Sequence, residues 1–265
     1  YLECPYKFKL NNLLRVPKAK EPYLSFGTAV HAALESFYKH YQTEHLFPSK
    51  DHLLAVFEQA LKKEVLTEDD YRERLKQGQK ILSAYYDHYV DDFRPALEIE
   101  KFFGYGFSPI YLDDIPLAGK IDRIDWVDPG DRTVKVIDYK SGRRKTRGQI
   151  EGTTQDSDGS YKRQLIFYKL LADLDQKFPA KVISAELDFI ESPHQENKSG
   201  KESFSITNEE IEELKIIIKH CMQEIRDHKF NRTTDFSVCT NCEFRDHCWP
   251  KGIPTIKPEQ LKLVP

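Results

Sequence analysis

The chain has 265 residues, of which 39% are hydrophobic and 12% aromatic, and its formal net charge is −3. This composition supports a substantial core, excludes a disordered chain, and includes no apolar run of the roughly 18 residues that a membrane helix needs. Five cysteines, an odd number, argue against a secreted disulfide scaffold and favour a cytoplasmic, reducing location without a membrane partner. Because the chain begins at Tyr1 without a signal-peptide pattern, we expect a domain of a longer protein.

Helical periodicity marks the first third of the chain. Apolar residues recur every three to four positions over residues 23–45, 50–66 and 70–94, and Pro95 ends the last run. We interpret residues 32–98 as a helical insertion placed before a sheet.

The character of the sequence changes after Pro95. Short β-type runs separated by turn residues predict antiparallel strands over residues 99–107, 110–112, 117–126 and 133–139. The next predicted elements are a loop, a helix, two strands and a last helix, over residues 142–160, 161–174, 182–190, 203–206 and 207–227. Thr207, with Glu210 three residues later, has the capping-box pattern at the start of the last helix. The predicted fold class is mixed α/β, with the core over residues 99–230 of a single domain, residues 1–265.

Four cysteines stand at the two ends of the chain. Cys4 lies in a Cys-Pro context near the start, and Cys239, Cys242 and Cys248 follow near the end with C-x2-C-x5-C spacing. A Cys-x2-Cys pair with two further thiols is typical of metal ligands. If the four thiols converge, a metal or iron–sulfur centre joins the ends of the fold, and residues 231–265 are its cluster-binding C-terminal segment.

One acid-x-lysine triplet differs from the four others in the chain. Asp138-Tyr139-Lys140 ends an apolar strand, and Asp122 lies 16 residues earlier, on the strand before it. Alternation of side chains places Asp138 and Lys140 on one face and Tyr139 on the other. Two adjacent carboxylates repel each other unless a divalent cation lies between them, and carboxylate oxygens suit Mg²⁺ or Mn²⁺. The alternative is a surface salt-bridge network with neighbouring basic residues.

A cluster of cations follows the same strand. Its members are Lys140, Arg143, Arg144, Lys145 and Arg147. Such a cluster predicts a binding surface for phosphate, although a solvated loop whose charges face water is the alternative.

Three residues elsewhere fit the same chemistry. His31 lies among apolar residues of the first long helix, and Gln164 and Tyr168 lie four residues apart on the helix after the sheet. Residues at i and i+4 share a helix face, so Gln164 and Tyr168 could contact the lysine or a phosphate backbone together. Each of these three residues, taken alone, could equally be an ordinary structural residue. Their order along the chain is what favours a functional site.

That order resembles a known family. G-x-x-x-H at Gly27–His31, G-x-[IV]-D-R at Gly119–Arg123, a strand ending in D-x-K, and Q-x-x-x-Y follow one another as in the RecB-like branch of the PD-(D/E)xK nucleases. The four cysteines resemble its iron–sulfur subset, which includes the AddB-type nuclease domains of helicase–nucleases and the CRISPR-associated spacer-acquisition nucleases. The resemblance runs from Cys4 to Cys248.

The resemblance implies a restriction-endonuclease-like mixed sheet flanked by helices, with an iron–sulfur staple joining the termini. It implies that a divalent cation is bound by His31, Asp122, Asp138 and the backbone carbonyl of Tyr139. It also implies catalytic roles for Lys140, Gln164 and Tyr168, and DNA contacts for Arg143, Arg144, Lys145 and Arg147. A [4Fe–4S] cluster, or alternatively Zn²⁺, would be bound by Cys4, Cys239, Cys242 and Cys248.

The implied activity is metal-dependent hydrolysis of DNA in repair or recombination, with exonuclease action on single strands or DNA ends and a helicase domain or subunit as partner. About 90 residues separate His31 from Asp122, more than in the compact spacer-acquisition nucleases, which favours a helicase-type parent protein. Two alternatives remain: a catalytically silent DNA-binding or scaffolding domain of a helicase complex, and a spacer-acquisition nuclease.

Overall fold

A computed structural model describes residues 1–104, 106, 108–155, 157–191 and 199–254. Within this part of the chain, no helix has the length and apolar character needed to cross a membrane. The chain divides into two compact units, residues 20–215 and residues 1–19 with 216–265. The predicted boundaries at residues 32, 99 and 231 stay predictions, and residues 255–265 of the predicted C-terminal segment lie outside the described part.

The first third of the chain is helical, and the centre of the chain forms the β-strands. In chain order, the elements are α1 (Pro5–Phe8), a π-helical turn (Lys9–Leu13), α2 (Pro22–Glu44), α3 (Lys50–Lys62), α4 (Glu68–Tyr89), β1 (Glu98–Phe103), β2 (Ile110–Leu112), β3 (Ile115–Leu117), β4 (Gly119–Asp128), β5 (Thr133–Lys140), α5 (Arg147–Glu151), α6 (Ser160–Leu174), β6 (Lys181–Phe189), β7 (Lys201–Phe204), α7 (Asn208–Arg226) and α8 (Arg245–Cys248).

Three long helices, α2, α3 and α4, pack together in the larger unit, as the periodicity predicts. The side chains of Ser49 and Thr67 cap α3 and α4 by accepting hydrogen bonds from backbone N–H groups of the first turn. Phe57 of α3 is fully buried in the shared core. A Cβ atom at Gly78 of α4 would lie 2.0 Å from the Phe57 ring, so glycine allows the two helices to approach closely.

A five-stranded mixed sheet forms the centre of the larger unit, in the order β1-β4-β5-β6-β7. β5 and β6 run parallel, and the other neighbouring pairs run antiparallel. A parallel pair needs a crossover connection, which α5 and α6 provide, and α6 packs against the sheet. Ile137 and Tyr139 of β5 join the core formed with α2–α4. Helices therefore flank the mixed sheet, which confirms the predicted fold class.

The strand boundaries differ from the prediction by one or two residues in β4–β7, and two differences at β1 and β3 have a structural reason. β1 ends at Phe103, whereas the prediction extended to residue 107, and residues 105 and 107 lie outside the described part. β2 and β3 form a separate two-stranded hairpin, so Leu117 belongs to β3 and not to the start of β4. The apolar run gave no sign of this break because Leu117 and the first residues of β4 fit one strand pattern equally well.

The segment predicted as a loop over residues 142–160 contains the short helix α5. Thr146 caps it: Thr146 Oγ1 accepts from the Gln149 N–H at 3.3 Å, and Gln149 Oε1 accepts from the Thr146 N–H at 3.0 Å. Five residues make little more than one turn, which is too short for hydrophobic periodicity to reveal.

The predicted capping box at the start of α7 is confirmed. The Thr207 N–H donates to Glu210 Oε2 at 2.9 Å, and the Glu210 N–H donates to Thr207 Oγ1 at 3.2 Å. The two bonds satisfy backbone donors that have no partner inside the helix, and thereby fix where it begins.

The smaller unit brings the two ends of the chain together. The Tyr6 N–H donates to the Asn231 carbonyl at 3.2 Å, and Lys18 Nζ donates to Glu243 Oε1 at 2.5 Å. Burial alone would raise the pKa of Glu243, but its hydrogen bonds, chiefly that from Lys18, hold the pKa at about 2.

We expect one buried ion pair of the sheet to make stability depend on pH. Glu186 of β6 accepts from Lys135 of β5 at 2.9 Å and from the Ser203 hydroxyl of β7 at 2.8 Å. Burial raises the pKa of Glu186, but Lys135 and Ser203 outweigh it and lower the pKa below the ordinary 4.5. This stabilisation is therefore present above pH 4.5 and is lost as the pH falls through the lowered pKa.

Glu186→Gln should accordingly lower the free energy of unfolding at pH 7 by about 1–2 kcal/mol, measured by urea denaturation. The difference from wild type should disappear at a pH well below 4.5. Glu213→Gln, at an exposed position of α7, serves as the control. A difference that stays constant from pH 7 to acid would contradict the electrostatic origin.

Candidate active site

A cleft of about 970 Å³ in the larger unit is lined by all of the predicted catalytic and cation-binding residues. Its lining includes His31, Asp122, Asp138, Tyr139, Lys140, Arg143, Gln164 and Tyr168. These residues come from α2, β4, β5, the segment after β5, and α6, so only the fold brings them to one place.

The strand register explains how the acids meet. Arg123 of β4 pairs with Ile137 of β5, so Asp122 and Asp138 occupy the next position, across from each other. On the other side of β4, Arg123 pairs with Ile99 and Ile121 with Lys101 of β1, which places Glu100 beside Asp122. Three adjacent strands thus present one carboxylate each at the same level of the sheet.

His31 completes this group from α2. Its Nδ1 atom lies 3.3 Å from Asp122 Oδ1, and ligand atoms of His31, Glu100 and Asp122 all lie within 4.8 Å of one another. Burial alone would lower the pKa of His31, but the hydrogen bond and charge of Asp122 outweigh it and raise the pKa. Burial and the charge of Asp122 raise the pKa of Glu100, against the effect of Lys120.

Sequence reasoning did not find Glu100. Its backbone φ of 52° lies in the left-handed region, which is unusual for a residue other than glycine within a strand. This local irregularity breaks the simple alternation of β1. The sequence does show an acid on the strand that precedes Asp122, but only the pairing of β1 with β4 places that acid beside Asp122.

The backbone of Tyr139 links β5 to the Asp122 side chain of β4. Its N–H donates to Asp122 Oδ2 at 2.8 Å, while its hydroxyl accepts from Arg123 Nη1 at 2.7 Å on the opposite face. Arg123 is buried, donates also to the Tyr38 hydroxyl, and forms an ion pair with Asp125 at 3.0 Å. The predicted alternation of Asp138, Tyr139 and Lys140 agrees with this arrangement.

Four side chains form a closed ring of polar contacts. Lys140 Nζ lies 2.6 Å from Asp138 Oδ2 and donates to Gln164 Oε1 at 2.7 Å. Gln164 Nε2 donates to the Tyr168 hydroxyl at 2.8 Å, and that hydroxyl donates to Asp138 Oδ1 at 2.8 Å. The ring therefore fixes the positions of both the carboxylate and the ammonium group.

The electrostatics of the cleft favour a bound cation. Burial and the nearby Asp122 raise the pKa of Asp138, although Lys140 and Tyr168 act in the opposite direction. Burial and the charge of Asp138 raise the pKa of the Tyr168 hydroxyl well above its ordinary value, so this group is a hydrogen-bond donor. An imidazole nitrogen among carboxylate oxygens is a suitable donor set for Mn²⁺ or Mg²⁺.

The predicted DNA-binding cations have different environments. Arg143 lines the active cleft, whereas Lys145 lines a separate pocket of about 220 Å³. Arg144 pairs with Glu202, and Arg147 lies 3.1 Å from a Glu151 oxygen. Neighbouring acids therefore partly neutralise two of the four charges.

The four predicted cysteines meet in the smaller unit. Cys4, Cys239, Cys242 and Cys248 line one small pocket with Arg232. Burial and the other three thiols raise the pKa of Cys248, and Arg232 lowers it. Four thiols that line one small pocket are a suitable ligand set for a metal ion or an iron–sulfur cluster.

Two comparisons with known proteins bear on these sites. One curated relative is a subunit of the ATP-dependent helicase/deoxyribonuclease of Symbiobacterium thermophilum. The two sequences are 28% identical over 176 residues, and the match covers 56% of this chain and 15% of the relative. The chain thus corresponds to a minor part of that relative's length. The sequence pattern of the PD-(D/E)XK nuclease superfamily matches residues 1–249. Because this match covers nearly all of the 265 residues, the chain belongs to the PD-(D/E)XK nuclease superfamily.

Proposed function

We propose that this chain is a metal-dependent deoxyribonuclease domain that hydrolyses phosphodiester bonds. The observation that supports this most directly is the group of His31, Glu100 and Asp122 beside the Asp138–Lys140 pair in one cleft. Three carboxylates at one level of neighbouring strands repel one another, and a shared divalent cation would remove that repulsion.

In this proposal, some residues of the cleft bind the cation, and Lys140 acts on the water or the phosphate. His31, Asp122, Asp138 and the backbone carbonyl of Tyr139 would bind the divalent cation, with Glu100 as a further acidic ligand. Such a cation, when bound, polarises a phosphoryl oxygen and lowers the pKa of a bound water. Lys140 Nζ would orient the attacking water or stabilise the charge that develops on the phosphate.

Gln164 and Tyr168 would act by holding the catalytic groups in place. Gln164 accepts from Lys140, and Tyr168 donates to Asp138, so neither side chain can rotate without breaking a contact. Arg143, at the edge of the cleft, would bind a backbone phosphate of the DNA, with Arg144, Lys145 and Arg147 extending the basic surface.

The smaller unit would bind a [4Fe–4S] cluster through Cys4, Cys239, Cys242 and Cys248. The four thiols that line one small pocket support this proposal, and Zn²⁺ is the alternative occupant. The cluster would be structural: it would join the first residues of the chain to a segment more than 230 residues later.

The relative's name supports a proposal for the substrate and the partner. Because that protein belongs to a helicase/deoxyribonuclease, we propose that this domain degrades single strands or DNA ends as an exonuclease in DNA repair or recombination, beside a helicase domain or subunit.

The proposal is tested with end-labelled single- and double-stranded DNA in Mg²⁺, Mn²⁺ or excess EDTA. We expect cleavage with either cation, progressive shortening of single strands from an end, and no cleavage in EDTA. Cleavage that continues in EDTA would contradict a metal-dependent mechanism. A complete lack of cleavage, with strand binding retained, would instead support the catalytically silent alternative.

A further inference from the structure

The lining of the active cleft includes an aromatic ring and a guanidinium group that have no part in the proposed catalysis. Tyr23 and Gly27 of α2 and Arg74 and Gln77 of α4 contribute to this lining. The catalytic side chains line the same cleft, so a strand bound there can also contact these residues.

The spacing along α2 places Tyr23 within a few nucleotides of His31 on a bound strand. Tyr23, Gly27 and His31 are four residues apart and share one helix face. At ~1.5 Å per residue, Tyr23 lies about 12 Å along the axis from His31. A Cβ atom at Gly27 would come within 3.2 Å of Ser141 Oγ, so the glycine keeps the cleft open between the two positions.

Tyr23 is suited to contact an unpaired base. It is 61% exposed, although its ring is large and apolar, and it lies at the edge of the cleft. Aromatic side chains at such positions bind single strands because each base can stack on them whatever its sequence. The bases of a duplex are already stacked and paired, so a ring at this position favours a single strand.

Arg74 is suited to contact phosphate. Its Nη1 atom donates to Gln77 Oε1 at 2.7 Å, which fixes the plane of the guanidinium. Its Nε atom is buried and has no acceptor within the described part of the chain, while the side chain as a whole is 24% exposed and its Nη1 atom lies 3.7 Å from an oxygen of Glu73. A planar guanidinium held in place and partly exposed in the cleft matches the geometry of a phosphate group.

We propose that Tyr23 and Arg74 form a subsite for one nucleotide of a single strand, in which Tyr23 stacks on the base and Arg74 binds the backbone phosphate. The inference rests on the proposed nuclease activity of the same cleft and gives that activity a preference for unpaired strands. Arg74 and Arg143 contribute positive charge from two different segments of the cleft lining, which offsets the repulsion between a DNA strand and the acidic centre.

The base contact is tested by comparing an ordinary single strand with a strand of equal length whose nucleotides are abasic. Tyr23→Leu should raise the KM for the ordinary strand about 5- to 100-fold and leave the KM for the abasic strand unchanged. The kcat for both strands should stay within about twofold of wild type, because the reacting atoms are not touched. Tyr111→Leu, at another exposed tyrosine outside the cleft, is the matched control.

Loss of the phosphate contact is expected to change the KM and the salt dependence in a different way. Arg74→Gln should raise the KM for both strands equally and reduce the slope of log affinity against log salt by about 0.7. Arg72→Gln, on the same helix with a 66% exposed side chain paired with Glu68, should change neither quantity.

These outcomes separate the subsite from the proposed function. If wild type cleaves but Tyr23→Leu raises the KM for both strands equally, or for neither, the subsite is wrong. If wild type cleaves neither strand, the nuclease proposal fails, and the same comparison by fluorescence anisotropy in EDTA still tests the subsite: equal loss of affinity for the two strands would overturn it. Thermal midpoints equal to wild type show that the variants fold.

Discussion

Asp138→Ala is expected to abolish cation-dependent cleavage of DNA, with a loss of kcat of about three to four orders of magnitude. The carboxylate contacts Lys140 and Tyr168 and lies across from Asp122, so its removal takes away a proposed cation ligand and the ionic partner of the lysine at once. Steady-state cleavage of a labelled single strand in Mn²⁺ measures the loss.

A second variant keeps this test independent of folding. Asp138→Asn retains an oxygen that can accept from Tyr168 but has no charge. Because burial raises the pKa of Asp138, its ionised form makes the folded state less stable above that pKa. We therefore expect a melting temperature no lower than wild type together with the loss of cleavage. Asp131→Ala, in the exposed turn before β5, should cleave normally. Activity retained in either Asp138 variant would refute the assignment.

Cys242→Ala should prevent binding of the proposed iron–sulfur cluster and destabilise the smaller unit. A cross-link between Cys4 and Cys239 closes a loop of 235 residues, and the chain-entropy model gives such a link about 5 kcal/mol. Without it, the N-terminal segment and residues 229–254 would be held mainly by hydrogen bonds such as that from Tyr6 to Asn231. Elemental analysis and the brown absorption of anaerobically purified protein measure the cluster, and limited proteolysis measures the loss of order.

Cys221→Ala is the matched control for this change. Cys221 lies on α7 and does not line the cysteine pocket, so its replacement should leave iron and protease resistance unchanged. Zinc in place of iron in the wild-type protein would refute the cluster. A Cys242→Ala variant that resists proteolysis as wild type does would show that the cross-link is dispensable for stability.

The sequence alone was sufficient for those parts of the site that depend on local spacing. Asp138 and Lys140 are two residues apart on one strand, and Gln164 and Tyr168 are four apart on one helix, so each pair shares a face in any fold that keeps those elements. The contacts between the pairs, from Lys140 to Gln164 and from Tyr168 to Asp138, also required α6 to pack on β5.

Glu100 was missed because its role is entirely non-local. It enters the site through the pairing of β1 with β4, and its left-handed backbone departs from the regular strand on which an alternation argument depends. No short-range pattern distinguishes it from Glu98, two residues earlier on the same strand.

Sequence reasoning also could not predict which cations of the basic cluster are neutralised by distant acids. The sequence presents Arg144 as an unopposed cation, but Glu202 of β7, more than fifty residues later, pairs with it. Counting charges along a segment overestimates its attraction for DNA when a distant strand supplies the opposing acid.

In the ring of Lys140, Gln164, Tyr168 and Asp138, the Lys140 ammonium group already contacts an oxygen of the carboxylate that the proposed cation would bind. A cation held by Asp138 would weaken this ion pair by repulsion of the ammonium group, and Gln164 Oε1, 2.7 Å from Nζ, would keep that group in the cleft. In the proposed nuclease, the contacts of the lysine would therefore differ between the cation-bound and the cation-free domain.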